Sequence, residues 1–535
     1  MTSRSLKLST GSWAVGSFLV LQAGIMLLAI SDESFWIDEF WNAYVASLDS
    51  LGQLYELLIH PYGSQTPLHF VYFYFWGQLF PLSEASLRLT NLPLFVMGQA
   101  SMFWALRAYP KPFGYLLLAL STLHPMVWQY ANEARPYIMM YSGSEMILAY
   151  ILYIHAKDEN DSRVSPLASV IFVAGSILLF GASLLGVFWV IVACVYIAYF
   201  HYRKSGFRHL KVHSNLLLVC VFIAINGLLT LYYMSSLLRG GGASRIASTT
   251  VTTLLFDAYE LLGLSGIGPG RLELRAIGLA SLSPYLIWLI PVCILILAVL
   301  AKGLQEAKRL LGIRLLILVA SLGVVPVAIV VFSGFAMHWR VLGRHLIATL
   351  PLLNLLIALG LAKLGEAERG RVWALRSAIV ASFLLAFVCS SFSLRFSDRH
   401  RKDDYRAAAT LAKQELADGK RIWWAADALG ARYYGLPGEF DYMGELTNIH
   451  KPYVCIDQSG VQPVSTASGE CLEKLLPPDV VILSKPEAFD KNGVIAAYLR
   501  ARKFVNEREL PAFAIWRSAA PNGTSTTTER STEKQ

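Results

Sequence analysis

GSWAVGSFLVLQAGIMLLAI (Gly11–Ile30) runs directly into SDESFWIDEFWNAYVASLDSLGQLYELLIHPYGSQTP (Ser31–Pro67). The first stretch is apolar and long enough to cross ~30 Å of hydrocarbon as a helix. The second carries six acids, Asp32, Glu33, Asp38, Glu39, Asp49 and Glu56, and no Lys or Arg. It also has two helical periods. Ile37, Trp41, Tyr44, Val45 and Leu48 share one face of a 3.6-residue repeat. Ser50 with Gln53 then predicts a capping box ahead of Leu51, Leu54, Tyr55 and Leu58. A span followed by an acidic, tryptophan-bearing loop of short helices predicts a membrane protein whose chemistry lies at the membrane surface.

Working outward, the same kind of apolar run recurs. Of 535 residues 55% are hydrophobic and 16% charged. Runs of about 15 to 20 residues continue to about residue 395 and predict a polytopic α-helical protein. Segments are expected at 66–80, 90–107, 113–131, 138–155, 166–182, 184–200, 214–234, 283–300, 315–332, 346–362 and 377–395. The first run is too long for a signal-peptide core and reads as a retained span. The net charge of +9 is no nucleic-acid signature, because the basic residues sit mostly in short loops at 201–213, 301–314 and 363–376. Such loops face the cytoplasm. The N-terminus is then inside, and the loops 31–67, 235–282 and 333–345, with everything after 396, are outside. That orientation needs an odd number of crossings, whereas the runs number about twelve, so a further crossing is expected between residues 66 and 131.

The expected domains are a transmembrane part, 1–395, a soluble outer α/β domain, 396–520, and a Ser/Thr/Glu-rich disordered tail, 521–535. In the soluble part a helical period at 404–417 precedes the strand-like RIWWA at 421–425. A helix follows at 429–434, a strand at 480–483, a helix at 488–501 and a hairpin at 504–516, an alternation that argues for a partly parallel sheet. Cys194, Cys220, Cys293 and Cys389 lie in apolar runs and read as packing residues. Cys455 and Cys471 lie in the outer domain and are a disulfide candidate.

Polar residues at the outer ends of spans are the candidates for chemistry. Asp38 and Glu39 stand among Trp36, Phe40 and Trp41; the bland alternative is that they only favour a helix N-terminus. Glu133, Arg135 and Tyr137 open a span, with Arg-Pro offering a cation to an anion. Arg and Tyr there could equally be interfacial anchors. His338, Arg340, Arg344 and His345 crowd one short outside loop, against the orientation bias, and suit a phosphate or a lipid headgroup. His60 is a lone histidine before the second span. The loop holding Gly263–Gly270, Arg271 and Arg275 could cover a headgroup or simply turn. There is no Walker loop, dinucleotide fingerprint or clustered metal-ligand spacing; a divalent metal is left open and no cofactor is certain.

Asp38-Glu39, His60-Pro61 with Thr66-Pro67-Leu68, Glu84–Leu89 (EASLRL), Glu133–Tyr137 (EARPY) and Gly343–Pro351 (GRHLIATLP) occur in that order before a soluble outer domain. In this the chain resembles the GT-C membrane glycosyltransferases. Within them it is most similar to the branch holding bacterial protein O-mannosyltransferase-like enzymes and the lipid A aminoarabinose transferase. The resemblance implies a GT-C fold with an odd number of spans, typically thirteen, in the bacterial cytoplasmic membrane. It also implies a polyprenyl-phosphate-linked sugar as donor, and a glycan, lipid or protein of the cell envelope as acceptor. Asp38 would be the base, with Glu39 as orienter or alternative. Arg135, Arg344, His345, Arg340 and Tyr137 would meet the donor phosphate, and His60, Glu133, Arg88 and Arg271 would be further substrate contacts. A single carboxylate acting through the acceptor implies inversion. The rival readings are a lipid-linked-sugar flippase, which should show inverted repeats, and a non-catalytic membrane scaffold.

Overall fold

The computed structural model describes residues 11–60, 66–157, 164–205, 216–240, 248–365, 371–440, 459–464 and 468–518. It divides into two compact units. One comprises Met1–Glu33 and Asn42–Arg401, the other Ser34–Trp41 and Lys402–Gln535. The border therefore falls a few residues beyond the expected 395. More consequentially, the Asp38 stretch clusters with the C-terminal unit and not with the helices that flank it in sequence.

Among the described residues of the first unit seven helices are long and apolar enough to cross a membrane, including Tyr137–Ala156, Leu216–Leu238, Leu316–Ala336 and Trp373–Phe396. Gly16–Ala29 and Pro166–Ala182 are shorter apolar helices. Between 66 and 131, where the odd crossing was sought, lie Pro67–Leu79, Asn91–Leu106 and Lys111–Leu123, of 13, 16 and 13 residues. The expected segment 113–131 breaks at His124, whose backbone is extended, and Pro125–Ala131 forms a separate short helix. A residue before proline is pushed out of the α region. His124 Nδ1 accepts from the Met126 amide at 3.2 Å and so caps the new helix.

Two more departures have local causes. The expected inside loop 301–314 is largely helical, because Leu286–Leu311 continues through it to Gly312 at φ +57°. Glu306 supports the extension by pairing with Lys302 at 3.8 Å and Arg309 at 3.0 Å. The next span carries a π-helical turn, Val319–Val324, just ahead of Val325-Pro326. Pro326 lacks the amide that Leu322 would need, and the wider turn takes up the misfit.

Helices cross closely where both carry glycine. A Cβ on Gly143 would lie 2.7 Å from the Gly175 carbonyl oxygen, and one on Gly175 would lie 2.8 Å from that of Gly143. Without a hydrophobic drive between helices in lipid, such close approach supplies the packing. Gly143→Val should therefore destabilise the folded chain by roughly 1–3 kcal/mol. A thermal midpoint in detergent equal to that of the wild type would refute this. A polar chain adds to the packing: Gln22 Nε2 donates to Gln99 Oε1 and Thr122 Oγ1, both at 2.7 Å, and Gln99 Nε2 donates to Glu145 Oε1 at 2.7 Å.

The second unit is a sheet of order β2-β1-β3-β5-β4, with β1 Ile422–Ala425, β2 Val461–Pro463, β3 Val480–Ser484, β4 Phe504–Leu510 and β5 Phe513–Ser518. β1 pairs in parallel with β2 and β3, and β5 runs antiparallel to β3 and β4. This is the partly parallel α/β domain expected, with β2 as an addition. One sheet face packs Trp423, Val481 and Leu483 against Leu472, Ile495 and Leu499. The helix expected over 488–501 starts only at Val494, after Gly493 at φ +66°. Asp490 accepts the Ile495 and Ala496 amides at 2.9 Å and so sets that start. Cys471 is disulfide-bonded; its expected partner Cys455 and the tail 521–535 lie outside the described residues. Cys194, Cys220, Cys293 and Cys389 are free thiols.

Candidate functional site

In the first unit the site grows from the turn between Pro125–Ala131 and Tyr137–Ala156. Asn91 Nδ2 holds it by donating to the Ala131 and Glu133 carbonyls at 3.0 and 2.7 Å. Asn132 Oδ1 accepts from the amide and hydroxyl of Ser31 at 2.8 and 2.9 Å. The end of the first span is thereby pinned beside Glu133. Arg88, fully buried, donates to the carbonyls of Ser31 at 3.0 Å and Glu33 at 2.8 Å. Expected as a substrate contact, it is seen anchoring the start of the acidic loop.

The charged residues of this unit converge. Arg271 pairs with Glu133 at 3.0 Å and reaches Glu260 at 3.8 Å. Glu260 also accepts from Gln129 Nε2 at 3.2 Å and the Tyr130 hydroxyl at 3.4 Å. Tyr130 meets Tyr137 edge-on with ring centroids 4.9 Å apart. Arg135 donates to the Tyr137 hydroxyl at 3.1 Å, and its guanidinium lies 5.5 Å from that ring. Arg344 approaches the same ring at 5.6 Å. Residues 133, 135, 137, 271 and 344, far apart in sequence, thus form one cluster.

Helix Val251–Leu261 is the wall that the sequence reading missed. Asp257 and Glu260, three residues apart and so on one face, are both buried. A side chain on Gly343 would run into Glu260, so glycine there lets the Gly343–Thr349 turn pass close against that residue. The signal was present, two acids at helical spacing in an arginine-rich outer loop. His345 is used locally, its Nδ1 accepting the Leu342 amide at 3.1 Å. Arg340 is exposed and reaches the cluster through its field on Asp257. The glycine loop is close packing as well as turns: Gly266 lies against the backbone of Ser390 and Gly270 against that of Arg399. His60 ends the helix Leu51–Ile59, and residues 61–65 beyond it lie outside the described residues.

Burial pushes the Asp257 carboxyl up to about 8, with Glu260 adding to the rise and Arg340 opposing it. Burial raises Glu260 as well, against the pull of Arg271. The native state then keeps a proton that the unfolded chain releases near the ordinary value of 3.8. Because the unfolded state binds fewer protons in that window, stability falls as pH rises through it. Asp257→Asn should flatten the fall of the thermal midpoint between about pH 5 and 8. An unaltered slope would mean that Asp257 is ionised throughout.

In the second unit the two acids of the opening stretch part company. Glu39 is fully buried, accepts from the Trp36 amide at 3.4 Å and pairs with Lys402 at 3.2 Å. Asp38 is half-buried. Of the expected face Ile37, Trp41, Tyr44, Val45 and Leu48, the last two are buried and the first three only partly so. Phe40, off that face, is buried against Tyr405, Tyr433 and Tyr434, as Glu39 is on Lys402. Among the described residues no group of three His, Cys, Asp or Glu could hold a metal ion.

No protein-family model and no curated protein matches the chain. Solved structures do. The crystal structure of ArnT from Cupriavidus metallidurans in the apo state matches with a TM-score of 0.53 and 13% identity, over 96% of this chain and 99% of that one. The same protein bound to undecaprenyl phosphate matches with a TM-score of 0.51 and 15% identity, over 97% and 100%. At such identities the likeness is one of fold. The chain is a multi-pass helical membrane protein of the GT-C fold, with a small C-terminal α/β sheet domain.

Proposed function

We propose that the chain is an inverting glycosyltransferase that moves a sugar from a polyprenyl-phosphate donor to a cell-envelope glycan, lipid or protein. The reaction would run on the outer face of the bacterial cytoplasmic membrane. The observation that carries this reading is the pair Arg135 and Arg344 gathered on one tyrosine ring, in a fold shared with a protein solved with undecaprenyl phosphate.

The chemistry asks for those residue types. A lipid phosphate is a weak base and leaves without a general acid, but negative charge grows on it as the glycosidic bond breaks. Guanidinium groups held in place beforehand stabilise that charge without reorganising. Arg135 and Arg344, whose guanidinium groups both lie over the Tyr137 ring, are the candidates for the phosphate. The acceptor hydroxyl needs a base. Asp38, half-exposed, suits that role better than Glu39, which is fully buried.

The test is transfer from a series of radiolabelled polyprenyl-phosphate sugars to cell-envelope extract by the purified full chain in lipid. Label in the acceptor fraction is the expected result and names the donor. Donor that only changes sides of the bilayer would replace this reading with a flippase.

A further inference from the structure

The C-terminal α/β domain has no part in the chemistry just described, yet it holds the stretch that carries the proposed base. In open α/β sheets, ligands sit outside the carboxyl ends of the parallel strands. In this domain that position is taken by Ser34–Trp41 of the same chain. After β1, Tyr433 packs on Phe35 and Phe40 with centroids at 5.1 and 5.9 Å, and Tyr434 meets Phe40 edge-on at 5.9 Å. The Tyr434 hydroxyl accepts the Phe35 amide at 3.2 Å and lies 3.1 Å from Ser34 Oγ. Ser34 Oγ accepts the Arg406 amide at 3.1 Å. Gly430 has no room for a side chain, because Phe40 and Tyr405 fill the space. After β3, Lys485 takes φ +39°, pairs with Asp403 and lies 5.6 Å from the Trp36 ring.

Two ion pairs therefore bracket the stretch, and both start from one short connection, Lys402-Asp403. Burying charge is costly unless it is paired, and an apolar contact would stabilise as well or better. What a buried pair adds is direction. The Lys402–Glu39 pair fixes the first turn of helix Ile37–Ala46 at the residue next to Asp38.

We propose that the α/β domain is a clamp for the Asp38 stretch, with Lys402 as a positioning residue that orients Asp38 through Glu39. This deepens the glycosyltransferase reading and rests on it for the role of Asp38. On this reading the occupant of this edge is the chain's own stretch Ser34–Trp41.

The experiment compares Lys402→Met and Lys402→Arg in the full chain in lipid, by steady-state kinetics and hydrogen–deuterium exchange. A misplaced reacting group costs on the order of 10²-fold. Lys402→Met should accordingly lower kcat by about 10²-fold with donor KM nearly unchanged. Exchange should rise at amides 36–42 and stay slow in β3, and Lys402→Arg should restore most of kcat. Unchanged kcat in Lys402→Met would overturn the proposal. So would a fall accompanied by loss of protection across β3, which would make Lys402 a residue of global stability. An Asp38→Asn control separates the two readings. If it is inactive while Lys402→Met is fully active, only the clamp fails. If it turns over normally, the base assignment fails and exchange alone reports whether Lys402 holds the stretch.

Discussion

Asp38→Asn is expected to lower sugar transfer by roughly 10²–10⁴-fold, the usual contribution of a positioned general base. Asparagine keeps the shape of the side chain but cannot take the acceptor's proton. The change should be tolerated by the fold, because Asp38 is half-buried whereas its neighbour Glu39 is fully buried and paired. Binding of the lipid donor should survive, since the residues proposed to meet the phosphate are Arg135 and Arg344. The measurement is label transfer by the purified variant beside the affinity for undecaprenyl phosphate. Loss of transfer with retained binding is the expected pair of results. Wild-type turnover would remove Asp38 from the chemistry. Glu39→Gln is a poorer probe, because it removes the charge of the fully buried Glu39 from its ion pair with Lys402 and confounds activity with folding.

Arg344→Ala is expected to lower kcat by roughly 10²–10³-fold, the cost of removing one donor aimed at charge that develops in the transition state. The turn that carries Arg344 does not depend on its side chain. Gly343 packs under Glu260, and His345 Nδ1 caps the Leu342 amide, so the backbone path should persist. Donor use should suffer more than acceptor use, because the missing charge belongs to the leaving phosphate. Equal loss for both substrates would count against a phosphate role. Arg344→Lys should recover only part of the activity, since lysine offers a point charge where arginine offers a planar fork. Arg135 is a less clean target: it precedes Pro136, and its amide donates to the Glu133 carbonyl within the turn that shapes the cluster.

The membrane part was legible because burial in lipid demands contiguous apolar length, which any window of sequence displays. The helices 37–46 and 51–59 were legible from period and from the Ser50 cap, which is seen accepting the Gln53 amide at 3.2 Å. Strand-like RIWWA and the closing hairpin were legible in the same way. Errors came where a local rule outweighed hydrophobic length. Pro125 broke one expected segment, Pro326 widened another, and Glu306 drew a helix through an expected loop. Strand β2 was missed because Val461–Pro463 is too short to show a period.

The candidate site divides along the same line. Residue types near helix ends pointed to Asp38, Glu39, Arg135 and Arg344, because composition and local spacing report which charges must sit near a membrane surface. They also put Asp38 ahead of Glu39 as the candidate base. They could not show that Lys402 meets Glu39 from 363 positions away along the chain. Nor could they show that Arg271 is neutralised by Glu133, 138 positions distant. Local pattern is governed by the period of helix and strand and by the thickness of the bilayer, so it is written in neighbouring residues. The burial and charge partner of one carboxylate depend on which remote segments pack against it, and only the folded chain supplies those.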